Sequence, residues 1–244
     1  VAVALGPNIN APMETNAVVE AWAALQQALA RRDRASVKER AYIDALARRY
    51  QPEPVEDRSE LDRAYANAMR EVASAYPDDP DAATLFVEAL LDTMPWDYWT
   101  AELTPKPDTE EALRTLRSVL RRNPEHPGAN HFYIHAVEAG PEPEVGIPSA
   151  DRLGSVAPGA GHLVHMPSHI YARVGQYREA TEANERAVAA DQSYITQCRA
   201  QGFYPGAYYP HNVHFLWYTE GLEGRSENSI EAAVQVATYA LDNC

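Results

Sequence analysis

Val174-Gly175-Gln176-Tyr177-Arg178-Glu179-Ala180 is the stretch on which the fold turns. Glycine is the residue most often found just past a helix end, because it enters the left-handed region without a Cβ penalty. Gly175 therefore closes one helix, and the next is predicted from Tyr177 to about Ala190. The two helices form a pair joined by a short turn.

The same pattern continues outward from this turn. Helices are predicted from about Thr15 to Arg31, from a Ser36 cap to Tyr50, from Ser59 to Tyr76 and from Pro80 to Met94. Others run from an Asp108 cap to Arg122, from Pro127 to Ala139, from Pro148 to Val156 and up to Gly175 itself. The last two span His211–Glu223 and Ser226–Leu241. Period-two alternation of Val, Ile and Thr is almost absent. Residues 1–12, the aromatic stretch around Pro95-Trp96-Asp97-Tyr98-Trp99 and residues 201–210 read as loops. The tyrosines of the last, Tyr204, Tyr208 and Tyr209, are expected to anchor that loop against the helices, the alternative being that they gate a site or fill a substrate pocket.

Paired helices call for a search for repeats. Aligned on Pro77, Pro124 and Pro158, the chain places Thr84, His131 and His165 seven residues on. Glu88, His135 and His169 lie eleven residues on. Pro124 and Pro158 are 34 residues apart. A second alignment, on Gly175 and Gly224, matches His165 with His214 and His162 with His211.

On these residues the chain resembles the tetratricopeptide-repeat family, in degenerate form. Val174-Gly175-Gln176-Tyr177-Arg178-Glu179-Ala180, with Ala187-Val188 and Asp191, is similar to the second half of a repeat. Leu120-Arg121-Arg122-Asn123-Pro124 is similar to the end of one. The resemblance implies an all-α fold, a right-handed solenoid of antiparallel helix pairs. It implies a single domain over 1–244, with degenerate repeats over 59–241 and poorly matching helices over 1–58. It also implies that the first helices of successive repeats share one face, and that a peptide or protein is the usual partner. The aromatic stretches at 95–107 and 201–210 depart from even spacing.

Three of the eight histidines fall within Gly161-His162-Leu163-Val164-His165-Met166-Pro167-Ser168-His169. Residues i and i+4 share a helix face, so His131 and His135 point the same way, with Glu138 one turn on. His165 and His169 repeat that pair on the helix expected next door. Imidazole suits zinc, copper and iron. The expected transition-metal ligands are His131, His135, His165, His169 and His214, followed by Glu138 and His162. Glu138 has three open roles: ligand, orienter of a ligand, or general base. This layout of paired histidines is similar to that of coupled dicopper proteins, in layout only. An oxidative or hydrolytic metalloenzyme is one form of the metal reading. The competing form is a polar groove lined by Asn130, Tyr133, Tyr171, His211 and Asn212, in a non-catalytic scaffold that binds a peptide or protein. His126 is expected on an exposed turn, outside the cluster. Ser168 has no Gly-x-Ser-x-Gly elbow around it, which argues against a serine hydrolase.

Composition bounds the partners. A formal charge of −14 over 244 residues, with no clustered basic surface, argues against nucleic acid. No apolar run is long enough to cross a membrane. Cys198 and Cys244 form either one disulfide or two free thiols. The first residue is Val1, and Val1–Leu5 lacks a basic leader segment, so a processed or partial chain is expected. Uncapped solenoid ends stack, which makes homo-oligomers or filaments an expected form of assembly.

Overall fold

The computed structural model describes residues 1–200, 202 and 204–242. It holds twelve α-helices among those residues and no β-strand, only the isolated bridges Asn8–Ala11 and Trp99–Pro105. The chain falls into two compact units, Val1–Asn123 and Pro124–Cys244.

The first unit comprises α1 (Thr15–Leu29), α2 (Val37–Leu46), α3 (Ser59–Ala75), α4 (Pro80–Leu91) and α5 (Pro107–Arg122). Its starts follow capping chemistry. Ser36 Oγ accepts the Glu39 N–H while the Glu39 carboxylate accepts the Ser36 N–H, closing a capping box. Asp79 accepts the N–H groups of Asp81 and Ala82, with Pro80 at the first helical position. At α5 the expected Asp108 cap gives way to Lys106, with Pro107 first in the helix and Asp108 in its first turn. Leu25, Met69, Leu90 and Leu116 are all but inaccessible to solvent, and burying such a side chain stabilises by about 1.5–3 kcal/mol. The Tyr50 hydroxyl, just past α2, lies 2.8 Å from both Ala2 O and Gly6 O and shares its one proton between them, which ties down the N-terminal segment.

The second unit comprises α6 (Pro127–Val137), α7 (Ile147–Val156), α8 (Gly161–His165), α9 (Pro167–Arg173), α10 (Tyr177–Cys198), α11 (Tyr209–Glu223) and α12 (Ser226–Asp242). Helices α8 and α9 pack on α10, α10 on α11, and α11 on α12. Ile134, Leu153, Met166, Ile170, Ala183 and Ala187 form its interior, while Val188, Tyr209, Val213 and Ala232 join the last three helices. Gly175 has φ +79° and Gly224 φ +86°, the left-handed turns expected at the two helix junctions.

The three prolines used for alignment mark one recurring geometry. Tyr76, Asn123 and Ala157, each before a proline, have φ/ψ of −126°/65°, −135°/72° and −135°/67°. A following proline drives its predecessor out of the helical region, and each helix ends there. A new helix then starts three residues past each proline, at Pro80, Pro127 and Gly161.

Three elements differ from expectation. The His-rich helix is broken at Met166, because Pro167 has no N–H and His169 N–H donates back to Met166 O. Helix α10 runs on to Cys198. Residues Tyr204–Tyr208, expected as loop, form a π-helical turn leading into α11. Cys198 is exposed at the end of α10, and Cys244 lies outside the described residues. No helix of the described residues is long and apolar enough to cross a membrane.

Candidate metal centre

The first helices of three successive pairs, α6, α8–α9 and α11, bring six histidines together in the second unit. They form two sets of three, His131/His135/His162 and His165/His169/His211, and a third group able to hold an ion, His135/Glu138/His169, spans the two. Within the second set, His165 Nε2 lies 2.8 Å from His169 Nε2 and 3.1 Å from His211 Nε2. Within the first, His131 Nε2 lies 3.2 Å from His162 Nε2. Ligands at about 2.0–2.1 Å from one zinc-like ion, spaced between right angles and tetrahedral, sit about 2.9–3.4 Å apart. The observed separations fall in or beside that interval.

Oxygen acceptors behind the rings fix their tautomers. Glu138 accepts His135 Nδ1–H at 2.8 Å through Oε1 and His169 Nδ1–H at 2.6 Å through Oε2. Asn184, on α10, accepts His165 Nδ1–H at 2.7 Å. The amide of Asn184 is itself oriented, since its Nδ2 donates to Ala180 O at 3.0 Å. With Nδ1 protonated in all three rings, each Nε2 presents a lone pair. His165 and His169 therefore aim two lone pairs at each other across 2.8 Å. That contact is repulsive unless a cation lies against both nitrogens.

Burial disfavours a proton on several of the neighbouring rings. The pKa values of His131, His162 and His165 are held well below the ordinary histidine value, first by burial and then by neighbouring imidazoles. Burial and His169 also bring His211 down to about 4. Burial alone would raise the Glu138 carboxyl, but the His169 and His135 rings in contact with it hold it below the usual carboxylate range. Phe215 packs against His165, His169 and His211 at ring-centroid distances of 4.5–5.0 Å. Tyr208 packs against His162 at 4.6 Å. These aromatic faces keep the rings in place and the site apolar.

A second network positions α8. Asp191 accepts the Tyr204 hydroxyl at 2.7 Å and Asn212 Nδ2 at 2.7 Å. The His162 N–H donates to the Tyr204 oxygen at 3.2 Å. Gly161 lies so close that a Cβ there would overlap the Asp191 carboxylate.

The structure brings together His131, His135, His162, His165, His169 and Glu138, as the spacing suggests. It does not bring in His214, which is exposed and packs its ring 5.0 Å from Trp217. His211, expected only to line a groove, takes the inward place. The alignment behind the expected match of His165 with His214 counted back from Gly175 across the α8–α9 break and from Gly224 along an unbroken helix, so the two counts lose phase. Glu138 stands behind the rings with both oxygens engaged, the position of an orienter. The groove residues Asn130, Tyr171 and Asn212 bond instead to scaffold: Asn130 to Pro124 O and His126 O, Tyr171 to Asp151, and Asn212 to Asp191. Tyr133 is buried. His126 is half-buried rather than exposed and caps α6, accepting the Ala129 N–H through Nδ1 at 3.1 Å. Asn184, Tyr208 and Phe215 were not among the expected site residues. The one signal for Asn184 was an amide set among the small apolar residues Ala180, Ala183 and Ala187 of α10.

With this geometry in hand, likeness to solved proteins is informative about the scaffold. No family model matches the sequence, and no curated protein matches it. Among solved structures, MamA 41-end from Desulfovibrio magneticus RS-1 superposes with a TM-score of 0.55 at 15% identity, covering 75% of this chain and 87% of that one. A second MamA crystal structure gives a TM-score of 0.55 at 11% identity, covering 78% of this chain and 98% of that one. This chain has a TPR-like fold. Its paired α-helices are those that the Gly175 turn and the proline spacing predict, and at these identities the likeness concerns fold alone.

Proposed function

We propose that this chain is a degenerate tetratricopeptide-repeat protein whose second unit holds a transition-metal ion, zinc, copper or iron, on histidine Nε2 atoms. The observation that supports this reading is the 2.8 Å approach of His165 Nε2 to His169 Nε2, each ring with its Nδ1 already bonded to an oxygen acceptor. An all-imidazole donor set, with no thiolate, fits borderline first-row ions. Three protein nitrogens leave a tetrahedral position open for water or substrate, the arrangement of reactive rather than purely structural zinc sites.

Metal analysis of the purified chain tests this. At least one equivalent of metal per chain is expected, with loss of metal and a lower Tm in chelator. The double substitution His135→Ala/His169→Ala should abolish the metal while the helical circular dichroism survives. A chain that binds no added zinc or copper, and whose Tm ignores chelator, sinks the proposal.

A second reading is a non-catalytic scaffold that binds a peptide or protein, or copies of itself. The likeness to MamA supports the scaffold part of either reading, and the metal part rests on side-chain geometry. Exposed apolar residues on α11 and α12, Trp217, Leu222, Ile230 and Val234 among them, favour assembly through that end. Mass measured over a range of concentrations decides it: growth with concentration supports assembly, and a constant monomer excludes self-association.

A further inference from the structure

Resting on the metal reading above, we infer that the histidine cluster is two adjacent metal sites of unequal strength rather than one. The six imidazoles divide by geometry. His165, His169 and His211 converge through Nε2 atoms at 2.8 and 3.1 Å. His131 and His162 converge at 3.2 Å, with His135 the third member of their set. Two ligands of one ion at about 2.0–2.1 Å lie at most about 4.2 Å apart, and on that scale the histidine nitrogens group in threes rather than as one six. Ring centroids do not separate the sets, since His135–His169 and His162–His165 stand 5.5 and 6.0 Å apart while His135–His162 and His169–His211, within the sets, stand 6.3 and 6.0 Å apart; the division rests on the ring nitrogens.

The two sets are not equally prepared. His165 and His169 both have their Nδ1 atoms anchored, by Asn184 and Glu138. In the other set Glu138 anchors His135, but the buried Nδ1 of His162 has no hydrogen-bond partner. Such outer partners are worth about 10- to 100-fold in metal affinity. The His165/His169/His211 site therefore fills first, and the His131/His135/His162 site fills second and more weakly. Glu138 lies behind one ligand of each and joins the two. An ion in each site leaves both with an open position, so a small oxygen- or nitrogen-donor anion is the ligand class that would bridge them.

The test is a titration of the metal-stripped full chain with Zn²⁺ against a chromophoric chelator. Two equivalents are expected, the second bound about 10- to 100-fold more weakly. His211→Ala should remove the tight equivalent and leave one weak one. His131→Ala should remove the weak equivalent and leave the tight one. If either variant unfolds, a Co²⁺ titration of the wild-type chain takes its place, and the absorption spectra of the first and second equivalents should differ. A single equivalent in all, abolished by either variant, or two equal and spectrally identical equivalents, overturns this inference and leaves metal binding intact. No bound metal overturns both.

Discussion

Glu138 Oε2 accepts the Nδ1–H of His169 at 2.6 Å, across 31 residues of chain and between two different helix pairs. Its other oxygen serves His135, so a single buried carboxylate aligns one imidazole from each set. Glu138→Ala would leave two buried N–H donors without acceptors, at about 1–3 kcal/mol each. Denaturant unfolding of the metal-free chain should show a loss of about 3 kcal/mol. Glu138→Gln, which keeps one acceptor oxygen, should lose less stability and still bind metal more weakly. A Glu138→Ala chain as stable as wild type would show that the carboxylate does not hold these rings.

His211 and His214 make a paired control. His211→Ala should lower metal content, because its Nε2 lies 3.1 Å from His165 Nε2. His214→Ala should leave metal content unchanged and stability within about 0.5 kcal/mol, as expected for an exposed side chain. Loss of metal in the His214 variant would refute the helix phase described for α11.

In the first unit, Arg49 is the corresponding buried polar anchor. Its guanidinium reaches Asp92 at 2.8 Å, Glu88 at 3.2 Å and Pro7 O at 2.6 Å, beneath the Tyr65 ring. Burial works against its charge, but Glu88 and the other groups in contact with it keep its pKa above the ordinary value. Arg49→Met would strand the buried Glu88 carboxylate beside Asp92 and should cost about 3–5 kcal/mol. A chemical melt in which this variant unfolds at the wild-type midpoint would argue that the triad is dispensable.

The same triad predicts a pH dependence. Burial and the neighbouring Glu88 push the Asp92 carboxyl up to about 9 from 3.8. The folded form thus holds a proton that the unfolded chain releases. The stability this contributes is complete below about pH 4, declines as pH rises and is gone once pH passes about 9. Between pH 6 and 9, Asp92→Asn should flatten the decline in Tm seen for wild type. Parallel curves for the two chains would count against a protonated Asp92.

Gly161→Ala drives a methyl group into the Asp191 carboxylate, which also anchors Tyr204 and Asn212. We expect a loss of about 1–3 kcal/mol, the usual cost of overpacking, together with weaker metal binding through displaced His162. Unchanged thermal unfolding of this variant would show that α8 can shift freely.

Glu88, His135 and His169 occupy one repeat position, eleven residues past their prolines. In the first unit that position meets a guanidinium; in the second it meets imidazoles. The sequence alone carried the recurrence, because the residue before a proline, the glycine after a helix and the Asp79 or Ser36 cap are local rules acting within a few residues. It carried the i,i+4 histidine pairs for the same reason. It also determined the all-α class, since no stretch has the alternation a strand requires. What tertiary structure decided was which side chains meet. His211 and His214 differ by only about 60° around a helix, so the choice between them depended on how α11 docks on α10 and on the break that Pro167 makes in the neighbouring pair. Asn184 as the acceptor for His165, Glu138 as the acceptor shared by two helices, and Arg49 as the partner of Glu88 all join residues 19 to 39 positions apart. Such contacts are set by packing between helices, which no local pattern encodes.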